Sequence, residues 1–511
     1  MHSRQQTVWV AFLLFLLFSV STSSFAIPAF SRQYGTSCTT CHVDFPKLND
    51  FGKAFKDAGF KFPKDDESFL KVPPVMLGAP AQKDLWPHAV FPGNIPGLPP
   101  IGLRFNQFFQ YTSANANNYN QTPQGAPGTV QAPNVPRTDF EPGFFSIFMA
   151  GNFGSDIAFW VDDDLSVSGA NANGGLGDGY LRFVNFGRFF KLPTDALTLR
   201  VGQFELDLPF TQARSINISP YDIYTEANIG VTNQQNVNNV FALQDAAQGI
   251  EFSGGHQYKG YHYSLAVVNQ NTSGTSSSAS NVSSPGGFFS DSNFKDLYAR
   301  FSYRFNLEKD AASRNDIQAA GATGPRDHTY LTLGTYYFYG RSAQRFSGFM
   351  PDGVTPAVLT AHEPFYRFGG DFSFNYRTFN LFGLYMYGHD QDLLLNPVAT
   401  GFVPGAAAKF NGGFLEADYL VLPWFMTILR YDRVQSSADL LNQSGSANYF
   451  SPVGSTRDRV TPGVQFLIHA NIKASFEYQV RPQQALTYDA NGKPVSLFRT
   501  NTATGALEFV Y

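Results

Sequence analysis

From Ile101 to the C terminus the sequence repeats a period of two. In IGLRFNQFFQYT, Ile101, Leu103, Phe105, Phe109 and Tyr111 alternate with Arg104, Asn106 and Gln110. In DLYARFSYRF, Leu297, Ala299, Phe301, Tyr303 and Phe305 alternate with Asp296, Arg300, Ser302 and Arg304. NIKASFEYQV sets Ile472, Ala474, Phe476, Tyr478 and Val480 against Asn471, Lys473, Ser475, Glu477 and Gln479. Successive side chains of a strand point to opposite faces, so each run has one apolar, aromatic face and one polar face. A soluble sandwich turns the apolar faces inward against each other. A transmembrane barrel turns them outward to lipid and keeps the polar faces in its lumen.

The connections favour the barrel. Strands are expected to start near Ile101, Phe144, Asp156, Gly179, Leu197, Gln248, Tyr261, Asp296, His328, Phe365, Phe379, Asn411, Trp424, Asp458, Asn471 and Gly505, which makes 16, an even number as bacterial single-chain barrels have. Long loops follow seven of the odd strands, at residues 113–143, 207–247, 270–295, 341–364, 390–410, 435–457 and 481–504. Tight turns follow even ones, at Gly154-Ser155, Arg377-Thr378, Leu422-Pro423 and Ala470. Long loops at one end and short turns at the other are the outer-membrane arrangement, with both termini periplasmic. Residues 306–327 depart from it, being long on the short-turn side. The chain ends GALEFVY, with Leu507, Phe509 and Tyr511 on one face, as a strand closing the barrel beside the first would be.

After residue 26 no stretch holds the roughly 18 consecutive apolar residues that a transmembrane helix needs, so a membrane-embedded chain of this kind crosses as strands. Residues 1–26 read as a secretory signal, with Arg4 in the n-region, an apolar core from Val8 to Val20 and Ser24-Phe25-Ala26 at the cleavage position, so that the mature chain begins at Ile27. The chain is 15% charged yet carries 52 Phe and 25 Tyr, with 46 Gly and 31 Pro, which fits a loop-rich sheet protein better than a helical one. A net charge of −4 offers none of the basic excess that nucleic-acid binding calls for.

One motif carries chemistry: Cys38-Thr39-Thr40-Cys41-His42. A Cys-x-x-Cys-His run is the attachment signature of a c-type haem, in which two thiols bond to the macrocycle and the following imidazole binds the iron. A disulfide or redox pair would need no His42 beside the second thiol. Zinc would need more ligands at metal spacing, and the next histidine is His88. Pro46 to Ala58 reads as a helix, with Leu48, Phe51, Ala54, Phe55 and Ala58 on one stripe and Gly59 at the C-cap. That stripe either covers the haem or is ordinary core. Residues 63–100 form a Pro-rich connector, which holds two candidate distal iron ligands, Met76, which is preferred, and His88.

These residues resemble the fused outer-membrane monohaem c-type cytochrome-porins associated with iron-oxidising bacteria. The resemblance rests on the signal peptide, on Ala29-Phe30-Ser31-Arg32-Gln33-Tyr34-Gly35-x-x-Cys38-x-x-Cys41-His42, on Phe45-Pro46-x-Leu48-Asn49-x-Phe51-Gly52-x-x-Phe55, and on the barrel that follows. Val201-Gly202-Gln203-Phe204 with Leu208-Pro209-Phe210 is also similar to a segment of phosphate-selective porins. The family resemblance implies one covalent haem c held by Cys38 and Cys41, with His42 as proximal ligand. It implies electron transfer from an extracellular donor, with Fe(II) the first expectation, to a periplasmic c-type cytochrome across the outer membrane of a Gram-negative bacterium. The domain plan is a signal peptide (1–26), a small helical haem domain (27–62) able to plug the lumen, the connector (63–100) and an all-β transmembrane barrel of about 16 antiparallel strands (101–511).

Two other functions stay open: a solute-diffusion porin whose haem segment is a plug or sensor, and a peroxidase-like haem with an open sixth position. Asp162-Asp163-Asp164, after Trp160, is either a docking point for a divalent cation or a solvated strand end. His256, His262, His328 and His469 fall near expected periplasmic ends and read as surface or lumen residues.

Overall fold

The computed structural model describes residues 29–63, 66–76, 84–85, 94–97, 100–112, 137–154, 156–166, 175–211, 214–225, 227–232, 237–240, 246–269, 294–307, 328–349, 356–390, 396–398, 401–403, 407–436, 456–481, 486–488, 494–496 and 501–511. The signal segment and His88 lie outside them.

Sixteen strands close into a barrel. They are β1 (Ile101–Thr112), β2 (Arg137–Phe153), β3 (Ile157–Ser166), β4 (Gly175–Phe183), β5 (Thr198–Phe204), β6 (Ala247–His256), β7 (Lys259–Val268), β8 (Asp296–Asn306), β9 (Tyr330–Phe349), β10 (Pro356–Tyr376), β11 (Phe379–Asp390), β12 (Ala408–Leu422), β13 (Phe425–Ser436), β14 (Thr456–His469), β15 (Ile472–Gln479) and β16 (Thr502–Val510). Each pairs antiparallel with the next, and β16 returns to β1 through Val510 opposite Arg104 and Phe509 opposite Phe105. All sixteen expected strands are present. Three begin four or more residues earlier than expected: β2 at Arg137 rather than Phe144, β4 at Gly175 rather than Gly179, and β10 at Pro356 rather than Phe365. The extra residues of β10 pair with β9 as far as Phe349 opposite Pro356. A hairpin projecting past the bilayer needs no apolar lipid face, so the alternation that marks a strand in the sequence stops before the strand does. The connection at 307–329 stays long on the short-turn side.

The wall is inside out relative to a soluble protein. On β8, Leu297, Phe301, Tyr303 and Phe305 are exposed while Asp296, Arg300, Ser302 and Arg304 are buried. On β15, Phe476 and Tyr478 are exposed while Lys473, Ser475, Glu477 and Gln479 are buried. An apolar band on the outside, an even strand number and no free sheet edge make this a membrane-spanning barrel, the form that crosses the outer membrane of Gram-negative bacteria.

Two segments fill the lumen. The first is the N-terminal unit: α1 (Ala29–Tyr34), α2 (Cys38–Cys41), a two-stranded turn from His42–Asp44 to Lys47–Leu48, α3 (Asp50–Asp57) and α4 (Asp66–Phe69). The second is the β5–β6 connection, whose Leu206, Leu208, Ile216, Tyr221, Ile223 and Tyr224 are buried and which includes α5 (Asp222–Thr225). The lumen face was expected to be polar, yet β8 to β12 point Tyr298, Tyr336, Phe338, Phe365, Phe382, Phe410 and Phe414 inward. These aromatics pack on the inserted connection, Phe414 stacking on Tyr221 at 3.9 Å between ring centres and Phe210 lying against Phe382 at 4.7 Å.

Phe301→Arg, midway along β8 on the outer face, is expected to cost about 2–4 kcal/mol in equilibrium unfolding from lipid vesicles, whereas Phe301→Leu costs under about 1.5 kcal/mol. Equal stabilities for the two variants would place this face out of contact with lipid.

Candidate functional site

The motif sits in the N-terminal unit, and its neighbours bind it by the backbone. Asn49 is the N-cap of α3, its Oδ1 accepting from the Gly52 N–H at 2.9 Å. Its Nδ2 donates to the carbonyls of Thr40 at 2.9 Å and Thr39 at 3.3 Å, and its N–H donates to the Cys41 carbonyl at 2.9 Å. One residue therefore starts the helix and ties it to the motif, which is why α3 begins at Asp50 and not at Pro46 as expected: Lys47 and Leu48 pair back on His42 and Asp44 instead. At Gly52 the helix touches the motif so closely that a Cβ would overlap the Cys41 carbonyl. Gly59 takes φ +74° past the helix end, as a C-cap glycine does.

The apolar stripe of α3 is spent on core. Phe51, Ala54 and Phe55 are buried, and Phe55 meets Phe30, Tyr34 and Phe62 with ring centres 5.0, 5.6 and 6.0 Å apart. Tyr34 stacks on Phe62 at 4.3 Å and donates to Asp66 Oδ1 at 2.7 Å, which also accepts from the Phe62 N–H at 2.7 Å. The Lys71 N–H donates to the Gln33 carbonyl at 2.8 Å. Residues 66–71, at the head of the expected connector, thus fold back onto the N-terminal unit. So short a segment has too little chain to close a core alone. The barrel supplies part of it: Ala150, Ala158 and Trp160 belong to the same cluster, with Phe60 5.8 Å from Trp160, and Cys41 packs at its edge.

Polar anchors set the unit across the barrel at its short-turn mouth. Lys47 Nζ donates to Asp418 Oδ2 at 2.6 Å and to Asn380 Oδ1 at 3.1 Å. Arg304 grips Asp50 with two hydrogen bonds of 2.7 and 2.6 Å. Arg182 donates to the Lys56 carbonyl at 2.7 Å, and Lys473 donates to the Phe45 carbonyl at 2.6 Å. The anchors come from β4, β8, β11, β12 and β15, spread around the circumference. Those strands offer residues within four positions of Phe183, Asn306, Phe379, Leu422 and Ile472, their ends on the short-turn side.

His42 is 3.2 Å by Nδ1 from the Pro46 carbonyl, a contact that places the ring proton on Nδ1 and the free lone pair on Nε2. Burial pulls its pKa down to about 4, so the imidazole is neutral at pH 7, the form that binds a metal. Cys38 and Cys41 are free thiols on one helical turn, both half-buried. Burial pushes Cys41 up to about 12 and raises Cys38, so neither is the low-pKa thiolate of a redox pair. Two neutral thiols one turn apart, with a following histidine of fixed tautomer, fit the attachment of a c-type haem. Among the described residues no group of three or more His, Cys, Asp or Glu could hold a metal ion.

The remaining expected sites are scattered. Met76 pairs by its backbone with Asn94, and its side chain, like His88, lies outside the described residues. Asp162 is used locally, accepting from Trp160 Nε1 at 2.8 Å and from the Asp178 N–H at 2.9 Å, which is a structural role. His262 is bound to Asp207 at 2.8 Å, and His256 lies 3.7 Å from Asp195. The β5–β6 insertion was read from the sequence only as a long loop. Its signal was composition: Leu206, Leu208, Phe210, Ile216, Ile218, Tyr221, Ile223 and Tyr224 are more apolar residues than a solvated loop carries.

No protein-family model matches the chain, and no curated protein matches it. Among solved structures, the outer membrane channel DcaP of Acinetobacter baumannii is similar at 9% identity and a TM-score of 0.44, over 80% of this chain and 96% of that one. OmpT of Vibrio cholerae is similar at 8% identity and a TM-score of 0.43, over 83% and 99%. OmpF of Salmonella typhi, in complex with daunomycin, is similar at 7% identity and a TM-score of 0.42, over 82% and 98%.

Asp50→Ala leaves the buried Arg304 without its bidentate partner and is expected to weaken seating of the N-terminal unit by about 3–5 kcal/mol, read as protease cleavage within residues 29–71 while the barrel stays resistant. A pH dependence follows from Lys56, whose pKa is pulled down to about 8 by burial and by Arg214, Arg200 and Arg182, with Asp178 opposing. An unfolded lysine titrates near 10.4, so between the two values the seated unit binds fewer protons than the released one. Seating then strengthens as pH rises from about 8 to about 10.4, and Lys56→Met removes that component of the slope in the same protease assay.

Proposed function

We propose that this outer-membrane barrel is an electron conduit in which Cys38, Cys41 and His42 hold one covalent haem c inside the lumen. The observation that carries the reading is the His42–Pro46 contact within a unit wedged across the barrel: the sequence motif for attachment stands next to an imidazole already set in the ligating tautomer. Bound there, the group would supply a one-electron redox centre within a bilayer whose hydrocarbon core of about 30 Å insulates charge. Cys38 and Cys41 are the attachment points, His42 Nε2 is the proximal donor, and Asn49 and Gly52 hold the motif's backbone against α3. The fused cytochrome-porin resemblance adds the direction and the partners, from an extracellular donor, Fe(II) first, to a periplasmic c-type cytochrome.

A second reading, a solute-diffusion porin whose N-terminal unit is a plug or sensor, has the barrel itself in its favour. Sixteen strands enclose a lumen of porin size.

The test is to purify the chain from outer membranes of a host that matures c-type cytochromes and to record visible spectra while adding Fe(II). Stoichiometric growth of a reduced c-type band, absent in Cys38→Ala and His42→Ala, is expected. Reduction by dithionite but not by Fe(II) would exclude iron as the donor. Liposome swelling at the rate of an open porin would establish the solute pore in place of the conduit.

A further inference from the structure

The proximal histidine depends on a carbonyl, and that carbonyl sits in a turn gripped from the barrel wall. Lys473 on β15 is 2% exposed in its side chain; its Nζ donates to the Phe45 carbonyl at 2.6 Å and lies 4.7 Å from the centre of the Phe45 ring. The next residue in the chain is Pro46, whose carbonyl faces His42 Nδ1 at 3.2 Å. On the other side of the same turn Lys47 is held by Asp418 and Asn380. The Phe45-Pro46 peptide is thereby held from two stretches of the wall, β15 on one side of the turn and β11–β12 on the other.

Lys473 is itself placed by the barrel's closing seam. Its ammonium lies 3.1 Å from Glu508 Oε2 on β16, directly opposite it in the strand register, and Glu508 Oε1 accepts from Arg104 on β1. These three residues bridge the strands that join the C-terminal end of the sheet to its beginning. A buried lysine needs a counter-charge, and Glu508 supplies it while leaving a proton of Nζ for the Phe45 carbonyl.

We propose that Lys473 is a positioning residue for the haem ligand: through the Phe45 carbonyl it sets the Pro46 carbonyl against His42 Nδ1, so that the ligating tautomer of His42 is completed only when β16 has closed on β1. The proposal rests on the haem reading above for its purpose, though not for its geometry. Without the grip on Phe45 the turn keeps only its hold through Lys47 and can rotate its Pro46 carbonyl away, and a neutral imidazole released from Pro46 can move its proton to Nε2, the nitrogen the iron needs.

The test uses the full-length barrel folded in lipid nanodiscs, labelled with 15N-histidine, with Cys38→Ala and Cys41→Ala so that the ring is observed without an attached group; His42→Gln assigns the signal. His42 is expected to show the Nδ1–H form as its dominant tautomer. Lys473→Met should shift the population towards Nε2–H, and Lys473→Arg, which keeps a cationic donor beside Glu508, should restore it. Heat-modifiable gel mobility reports a closed barrel in each variant. If Lys473→Met fails to close, Glu508→Gln, which loosens Lys473 without removing it, must produce the same shift in direction. A closed barrel in which these substitutions leave the tautomer unchanged overturns the proposal. The haem reading is judged separately, by a pyridine haemochrome assay on the unsubstituted chain: absence of covalent haem there defeats that reading whatever His42 does.

Discussion

Among the described residues, many inward side chains of the strands are buried against protein, and that constrains much else in the molecule. A charge on a lumen wall covered by polypeptide loses its hydration and must find a partner. The wall meets this partly within itself: Arg200 pairs with Glu251 at 2.6 Å, Arg300 with Asp371 at 2.5 Å and Arg367 with Asp390 at 2.7 Å. The rest is met by the inserted chain. Asn217 donates to Glu416 at 2.7 Å, the Ile218 N–H to Glu477 at 2.6 Å, and Arg430 to Ser219 Oγ at 2.6 Å, while Arg459 and Arg481 close on Asp222 at 2.9 and 3.2 Å. The β5–β6 connection and the wall are therefore interdependent: removing either would strand buried charge in the other.

The N-terminal unit obeys the same rule with fewer residues. Its core is too small to stand alone and borrows Ala150, Ala158 and Trp160 from the wall. Trp160 also packs against the larger aromatic cluster around Tyr221 and Phe414, so the two inserted segments share a neighbour. The motif is held at the level of its carbonyls, by Asn49, by the close approach of Gly52, and by Lys473 acting on the adjacent turn. Main-chain grips of this kind place the motif without hydrogen bonds to the side chains of Cys38 and Cys41.

Much of the wall was legible in the sequence because lipid favours a period of two: an outward charge is costly, so Phe301, Tyr303 and Phe305 alternate with Ser302 and Arg304. Legibility ends where lipid ends. β10 runs nine residues past its expected start, Pro356 against Phe365, where no bilayer dictates the pattern. The lumen was misread for the related reason that an inward side chain answers to whatever fills the barrel, and the filling comes from distant sequence. Phe382 and Phe414 are apolar because Phe210 and Tyr221 lie on them, a pairing that no local pattern announces. Of the candidate site, the Cys38-x-x-Cys41-His42 motif was visible as spacing. The partner that sets the imidazole, Pro46, was read as the first turn of a helix, since helix propensity does not register an Asn49 cap that ties itself to Thr39 and Thr40.

The manner of seating bears on what the N-terminal unit is for. A stopper needs only apolar bulk, and apolar contacts tolerate rotation and sliding. This unit instead uses directional anchors on strands spaced around the barrel: Arg182 on β4, Arg304 on β8, Asp418 on β12 and Lys473 on β15. Buried ion pairs add little stability once desolvation is counted, while breaking one is expensive, so their net effect is to single out one arrangement. A single arrangement of the unit fixes one orientation for His42, Cys38 and Cys41 in the lumen, which the proposed haem reading would require.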